Sequence, residues 1–351
     1  MTTQSALPSS TETLPSYEIV NFSYGAGTEA ELTILCYGKR FHITVSANNL
    51  KGDSNATKEY LSLLEKLNSG EPHDRIDDEG DPMEELCFWI AFRCNPHMRA
   101  LTSKRPQRMQ TLHDWFHPDT LVLTPKDAPD GILHVYSSTP SPQLLQELTP
   151  SVELSGSIVK HGIPVVPPSK ILLPQNTAKD FWPQRPAKVF TESGMARFFK
   201  PAHLDEHADR EIQTLLRLQE LGLTETIRAP RLLEIVEAQE GSSRISGILL
   251  EYIEHRDSLG YVDVLNTPLS TRMKWANQVQ EMITVLHAAG IVWGDAKPDN
   301  ILVDADENLW IIDFGGGYTH GWVEKENEES VEGDMQALSR IADFLLVTKS
   351  E

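Results

Sequence analysis

Residues 290–315 read GIVWGDAKPDNILVDADENLWIIDFG, and the fold turns on how this stretch is parsed. Two short apolar runs stand out, Ile301-Leu302-Val303 and Leu309-Trp310-Ile311-Ile312. Between them lies Asp304-Ala305-Asp306-Glu307-Asn308, a turn-forming cluster. Apolar runs flanking such a cluster predict a β-hairpin. Its open end carries polar groups on both sides: Asp295, Lys297 and Asn300 before the first strand, Asp313 after the second. The hairpin would place Asn300 and Asp313 side by side, although twelve residues separate them. Two oxygen donors at the mouth of one hairpin suit a hard cation.

The Asp-x-Lys-x-x-Asn loop, followed across a hairpin by Asp-Phe-Gly, resembles the catalytic core of protein-kinase-like phosphotransferases. Phosphoryl transfer asks a protein mainly for in-line positioning and for cations that offset charge on the moving group. The resemblance implies ATP and Mg²⁺ as cofactors, with Asn300 and Asp313 as metal ligands. It makes Asp295 the base that orients the attacking hydroxyl, and Lys297 a point charge on the γ-phosphate. Upstream, Val189-Phe190 and Met195–Lys200 read as strand, turn, strand. Lys200 looks like the lysine that anchors ATP, with Lys188 as its rival. Glu211, on a helix marked by Ile212, Leu215, Leu216 and Leu218, looks like its glutamate partner. Ile245–Ile253 resembles the strand entering the hinge, so Glu251 and Ile253 would offer backbone groups to adenine. Residues 270–289 form an amphipathic helix with Trp275, Val279, Met282 and Leu286 on one face, capped by Ser270 or Thr271. A last helix would carry Met335, Leu338, Ile341 and Leu345, and Asp334 at its start resembles the buried aspartate that fixes the catalytic loop from below. The phrases Trp-Gly-Asp-Ala-Lys-Pro-Asp-Asn and Asp-Phe-Gly-Gly-Gly-Tyr are similar to those of fungal kinase-like proteins, atypical and compact members of the superfamily.

The pattern departs from the family in four ways. Trp293-Gly294 stands where His-Arg is usual before the catalytic aspartate, which removes the ordinary receiver of a loop phosphate. The acidic 324–332 segment would also repel a phosphate. Residues 178–187, AKDFWPQRPA, hold no glycine where a phosphate-cradling loop belongs. Asp334 follows Asp313 by only 21 residues, and the sequence runs just 17 residues further. These features predict a truncated C-lobe. They also leave open a second class of function, a pseudokinase module that binds partners and little or no nucleotide.

Working outward, 351 residues suggest two domains, and 40% hydrophobic residues can build real cores. The expected fold class is α+β: a bilobal kinase-like domain over 150–349, with an N-lobe to about 253, preceded by a small α+β domain at 16–140. Residues 1–15 are Ser/Thr/Pro-rich and read as a disordered tail. Ala30–Tyr37 and Arg40–Val45 read as a hairpin turning at Gly38-Lys39. Residues 55–68 read as a helix with Tyr60, Leu61, Leu64 and Leu67 on its apolar stripe. Residues 71–85 carry eight acidic side chains and read as a solvated loop. Glu85–Phe92 reads as a buried helix with Trp89 and Phe92 in the core. Leu121–Thr124 and Gly131–Tyr136 add strands. This first segment shows no resemblance to a known family and reads either as a separate domain or as an elaboration of the kinase N-lobe; its role is open, with a protein partner as one candidate. Ser137–Pro142 marks the junction.

A net charge of −20 argues against nucleic acid and anionic membrane as partners. No apolar run is long enough to span a bilayer, and the N-terminus has no secretory h-region. Cys36, Cys87 and Cys94 fit neither a disulfide framework nor a zinc site, which suits a reducing compartment, cytoplasmic or nuclear, for a chain that is not secreted.

Overall fold

A computed structural model describes residues 17–25, 27–36, 38–50, 55–68, 81–102, 109–127, 133–159, 161–174, 187–202, 205–239 and 241–347. The Ser/Thr/Pro-rich tail, positions 71–80 of the acidic loop and positions 178–186 of the glycine-free stretch lie outside them. The chain divides into two compact units, with the division near residue 149 and Thr111–His113 belonging to the second.

In the first unit five strands form one sheet in chain order: β1 (Glu18–Tyr24), β2 (Glu29–Cys36), β3 (Lys39–Ser46), β4 (Thr120–Asp127) and β5 (Leu133–Ser138). The β2–β3 hairpin turns at Gly38, whose φ of 87° suits glycine. β3 and β4 run parallel. A parallel pair needs a crossover, and the chain between them contains helices α1 (Asn55–Asn68) and α2 (Pro82–Ala100). Asp81 caps α2 by accepting from the Met83 N–H at 2.9 Å, and Pro82 occupies the first turn. Helix phase decides which residues enter the core. On α2 the buried set is Leu86, Cys87, Ile90, Ala91, Cys94 and Met98. Phe88 and Phe92, four apart on the other side, stack on each other and are 53% and 50% exposed. The expectation of a buried Phe92 therefore fails, while Trp89 packs against the core and donates to Glu59. Leu61 on α1 likewise faces out, and Leu63 takes its place. The three cysteines are buried and form no disulfide, and burial pushes Cys94 up to about 12.

The second unit begins with a mixed sheet. Its main strands are β6 (Lys188–Phe190), β7 (Ala196–Pro201), β8 (Leu232–Glu237) and β9 (Arg244–Glu251), in spatial order β8-β9-β7-β6. Two-residue strands at Val165–Val166 and Val152–Glu153 flank β8 and β9 respectively. Beyond β6 the sheet continues as isolated bridges, Leu172 to Phe190, closed by two hydrogen bonds of 2.8 Å, and then Thr111 to Leu172. Helix α3 (Asp205–Glu220) packs on this sheet through Ile212, Leu215 and Leu218. β9 is buried from Ile245 to Leu250, the near-continuous apolar run of a strand covered on both faces.

Below the sheet lie α4 (Leu269–Ala288), the hairpin β10 (Ile301–Val303) and β11 (Leu309–Ile311), and α5 (Val331–Leu346). The hairpin forms as its residues predict, with Ile301 opposite Ile311 and Asp257–Ser258 pairing on its outer edge. Trp275, Val279, Met282 and Leu286 face the core as expected. The cap differs: α4 starts at Leu269 after Pro268, and the Thr271 hydroxyl bonds Glu307 instead. On α5 the buried face is Ala337, Ile341 and Leu345, while Met335 is 50% exposed. Each fully buried aliphatic side chain here contributes about 1.5–3 kcal/mol relative to exposure. This is an α+β kinase-like fold. Among the described residues no helix is long and apolar enough to cross a membrane.

Candidate active site

The catalytic-loop residues converge. A 3-10 turn at Pro298–Asn300 folds the loop back, and the Asn300 amide donates to the Asp295 carbonyl at 2.9 Å and to its Oδ2 at 3.0 Å. Lys297 Nζ lies 2.7 Å from the same Oδ2 and 2.8 Å from the Thr319 hydroxyl. That hydroxyl donates to Asp295 Oδ1 at 3.0 Å. A carboxylate offers roughly four lone-pair positions. Thr319, Lys297 and Asn300 use three of them, leaving one for an incoming hydroxyl.

Across the hairpin, the Ile312 N–H donates to the Asn300 carbonyl at 3.0 Å, which sets the two metal-ligand candidates on adjoining backbone. Asp313 has φ 61°, a left-handed conformation that aspartate adopts more readily than most other non-glycine residues. Its Oδ1 accepts from Lys200 at 2.8 Å and from the Gly315 N–H at 3.3 Å. Oδ2 of Asp313 and Oδ1 of Asn300 keep no hydrogen bond among the described residues. Two such oxygens fit Mg²⁺, which takes few protein ligands and shares the rest of its shell with phosphate and water. Among the described residues no cluster of three or more His, Cys, Asp or Glu offers an all-protein cation cage.

Lys200 reaches from β7 to two carboxylates at once, Glu211 Oε2 at 2.6 Å and Asp313 Oδ1 at 2.8 Å. The eleven-residue step from Lys200 to Glu211 is enough for this contact, because β7 ends one residue after Lys200 and α3 starts at Asp205. Burial opposes the lysine's charge, but Glu211 and Asp313 outweigh it and raise its pKa. Glu211 is also raised, first by burial and also by Asp313, with Lys200 opposing. Its Oε1 is buried without a hydrogen-bond partner among the described residues. A cavity of about 180 Å³ opens here, lined by Lys200, Glu211, Asp313, His207, Ile248 and Gly315. The rival lysine, Lys188, lies elsewhere, paired with Glu254 at 2.8 Å and over the Tyr252 ring at 4.0 Å.

The hinge positions stand apart from this cluster. The Glu251 carboxylate takes Arg231 at 3.0 and 3.2 Å, and its N–H is given to the Arg231 carbonyl at 2.9 Å. The Ile253 carbonyl lies 2.8 Å from His255 Nδ1, while its N–H makes no hydrogen bond among the described residues. Of the two, Ile253 keeps the backbone donor.

Beneath the loop, Asp334 is 2% exposed and accepts from the N–H groups of Trp293 (2.8 Å) and Gly294 (2.9 Å), with His287 Nε2 at 2.9 Å. Trp293 donates its indole N–H to the Ile312 carbonyl at 2.9 Å and so ties the loop to the hairpin. The absent arginine at position 294 is replaced from another element. The Arg210 guanidinium of α3 lies against Gly294 and pairs with Glu329 at 2.5 Å. The acidic 324–332 segment is correspondingly partly neutralised, since Lys325 pairs with Glu328 at 2.5 Å and Arg340 with Glu324. Thr319 and Arg210 are the site residues that the sequence concealed. Thr319 sits in an aperiodic glycine-rich stretch that gives no signal. The glycine at 294 was the hint for Arg210: a missing side chain beside a buried loop asks what fills its space.

Residues 197–333 match the family model for the protein kinase domain. Among curated relatives, receptor-interacting serine/threonine-protein kinase 1 of Homo sapiens is 28% identical over 113 residues, 32% of this chain and 17% of that protein. NUAK family SNF1-like kinase 2 of Rattus norvegicus is 30% identical over 132 residues, covering 36% and 20% respectively. Testis-specific serine/threonine-protein kinase 4 of Homo sapiens is 32% identical over 116 residues, covering 32% of each. The matches thus span less than a third of these relatives' length. The fold and the matches together define a protein-kinase-like domain within the second unit, over residues 197–333.

Proposed function

We propose that the protein is an atypical kinase that transfers the γ-phosphate of ATP to a hydroxyl, on a protein serine or threonine or on a small molecule. The observation that carries this reading is the triad Glu211–Lys200–Asp313, which joins the sheet, α3 and the hairpin in one ion network. When bound, Mg·ATP supplies the phosphoryl group and the positive charge that offsets its transfer. Asp313 and Asn300 would hold the metal through the oxygens left out of the internal network. Lys200 holds the phosphates, kept charged by its two carboxylates. Asp295, fixed through its two oxygens by Thr319, Lys297 and Asn300, uses its remaining lone pair to orient the acceptor hydroxyl and takes its proton. Ile253 would offer its N–H to adenine. The serine/threonine acceptor is suggested by the names of the similar kinases. The first unit is assigned a protein-docking role, and the strong negative charge disfavours nucleic acid.

The test is thermal stability of the full chain with ATP, with and without Mg²⁺. A ligand that binds only the folded state raises the midpoint. The reading expects a rise with ATP that grows with Mg²⁺, and loss of the Mg²⁺-dependent part in Asp313→Asn. No shift under either condition would instead favour the binding-module alternative, for which the glycine-free 178–187 stretch speaks.

A further inference from the structure

Arg210 sits one residue before Glu211 on α3, but its guanidinium points into a different neighbourhood. It is packed against Gly294 of the catalytic loop and Gly316 of the segment after Asp313-Phe-Gly, and it pairs with Glu329, just before α5. Both glycines have left-handed φ, 89° and 80°. A Cβ at Gly294 would overlap the guanidinium, and one at Gly316 would overlap the Glu329 carboxylate. Glu329 itself is held at φ 53°, a conformation non-glycine residues seldom adopt without compensating contacts. The arginine and the glutamate are 24% and 39% exposed, so the pair is only partly screened by water. The far end of α3 is fixed independently, by Arg217 donating to the Ala289 carbonyl at 3.1 Å. Among the described residues, the Arg210–Glu329 ion pair fastens the turn that carries Glu211 to the segment preceding α5.

We propose that Arg210 and Glu329 form a built-in latch that positions Glu211 on Lys200, so that the site assembles without any modification of the 316–330 segment. Arg210 is a positioning residue: it acts through the register of α3 and through the catalytic loop, and not on the reacting atoms. A fixed carboxylate meets the arginine in place of an added anion. The proposal rests on the phosphotransfer reading only for what the assembled site is used for.

The test is hydrogen exchange on the full chain, free and with Mg·ATP, in the parent, Arg210→Gln, Glu329→Gln and the double variant. Each single variant should speed exchange about fivefold in residues 205–220 and 313–317, the size expected of a partly buried ion pair, and weaken Mg·ATP binding by a similar factor. The double variant should be no worse than either single one, because both remove the same interaction. Should a glutamine variant fail to fold, Glu329→Asp and Arg210→Lys keep the charges and should show intermediate exchange. Unchanged exchange in the single variants, or additive effects in the double one, would overturn the latch. A parent chain that does not bind Mg·ATP would remove the kinase reading, while the exchange pattern would still decide whether the latch exists.

Discussion

At the scale of single residues, the site is a set of charges that satisfy one another before any ligand arrives. Lys200 faces two carboxylates, and Lys297 faces one. The difference matters for function. Asp295 is 7% exposed and locked by three donors, so its geometry is fixed by the chain alone. Asp313 is held through Oδ1, and its Oδ2 makes no hydrogen bond among the described residues. Asp295→Asn should therefore leave Mg·ATP affinity near the parent value, because the nucleotide does not depend on this carboxylate. Transfer to an acceptor should fall by about 10²–10⁴-fold, the usual contribution of a positioned base. Isothermal titration with Mg·ATP beside a transfer assay separates the two effects. Full transfer activity in the variant would remove Asp295 as base.

At the scale of elements, the catalytic loop has little regular structure of its own and borrows rigidity from its neighbours. Asp334, at the start of α5, supplies acceptors for two buried loop N–H groups. Leaving a buried donor unsatisfied costs about 1–3 kcal/mol each. Asp334→Ala should thus lower unfolding stability by about 2–6 kcal/mol, measured by urea denaturation of the full chain. A loss below about 1 kcal/mol would mean that the loop finds other acceptors. The elements that do this work were the legible ones. The β10–β11 hairpin shows in its bare alternation of apolar run and turn, and α4 in the 4-3-4 spacing of Trp275, Val279, Met282 and Leu286. What did not show was helix phase at the margins. Phe92, Leu61 and Met335 are apolar and near a stripe, yet each lies a fraction of a turn outside it. Long-range partners were equally hidden. Thr319 meets Asp295 and Arg210 meets Glu329 only because the fold closes 24 residues in one case and brings a helix across the loop in the other.

At the scale of the whole molecule, the two units carry different electrostatic burdens. The second buries Glu211, Asp295 and Asp334 at the site, whereas the first buries Arg40 and His42 on β3. His42 on β3 is 5% exposed and lies 2.9 Å from the hydroxyl of Thr33, its neighbour across the β2–β3 ladder. Burial lowers its pKa below 6.5, although Glu31 and Glu147 pull the other way. The sign follows from linkage. A folded-state pKa below the unfolded one means that the unfolded chain binds the proton first. His42 therefore contributes its full stability above about pH 6.5, and that contribution is lost as the pH falls through 6.5 toward the folded value. Hydrogen exchange of the β2 and β3 amides, compared at about pH 7.5 and about pH 5.5 after correction for intrinsic rates, reads the effect locally. The parent should lose protection in these strands on acidification, and His42→Gln, which cannot titrate, should lose distinctly less. Equal losses in both proteins would assign the acid sensitivity of the sheet to its carboxylates instead.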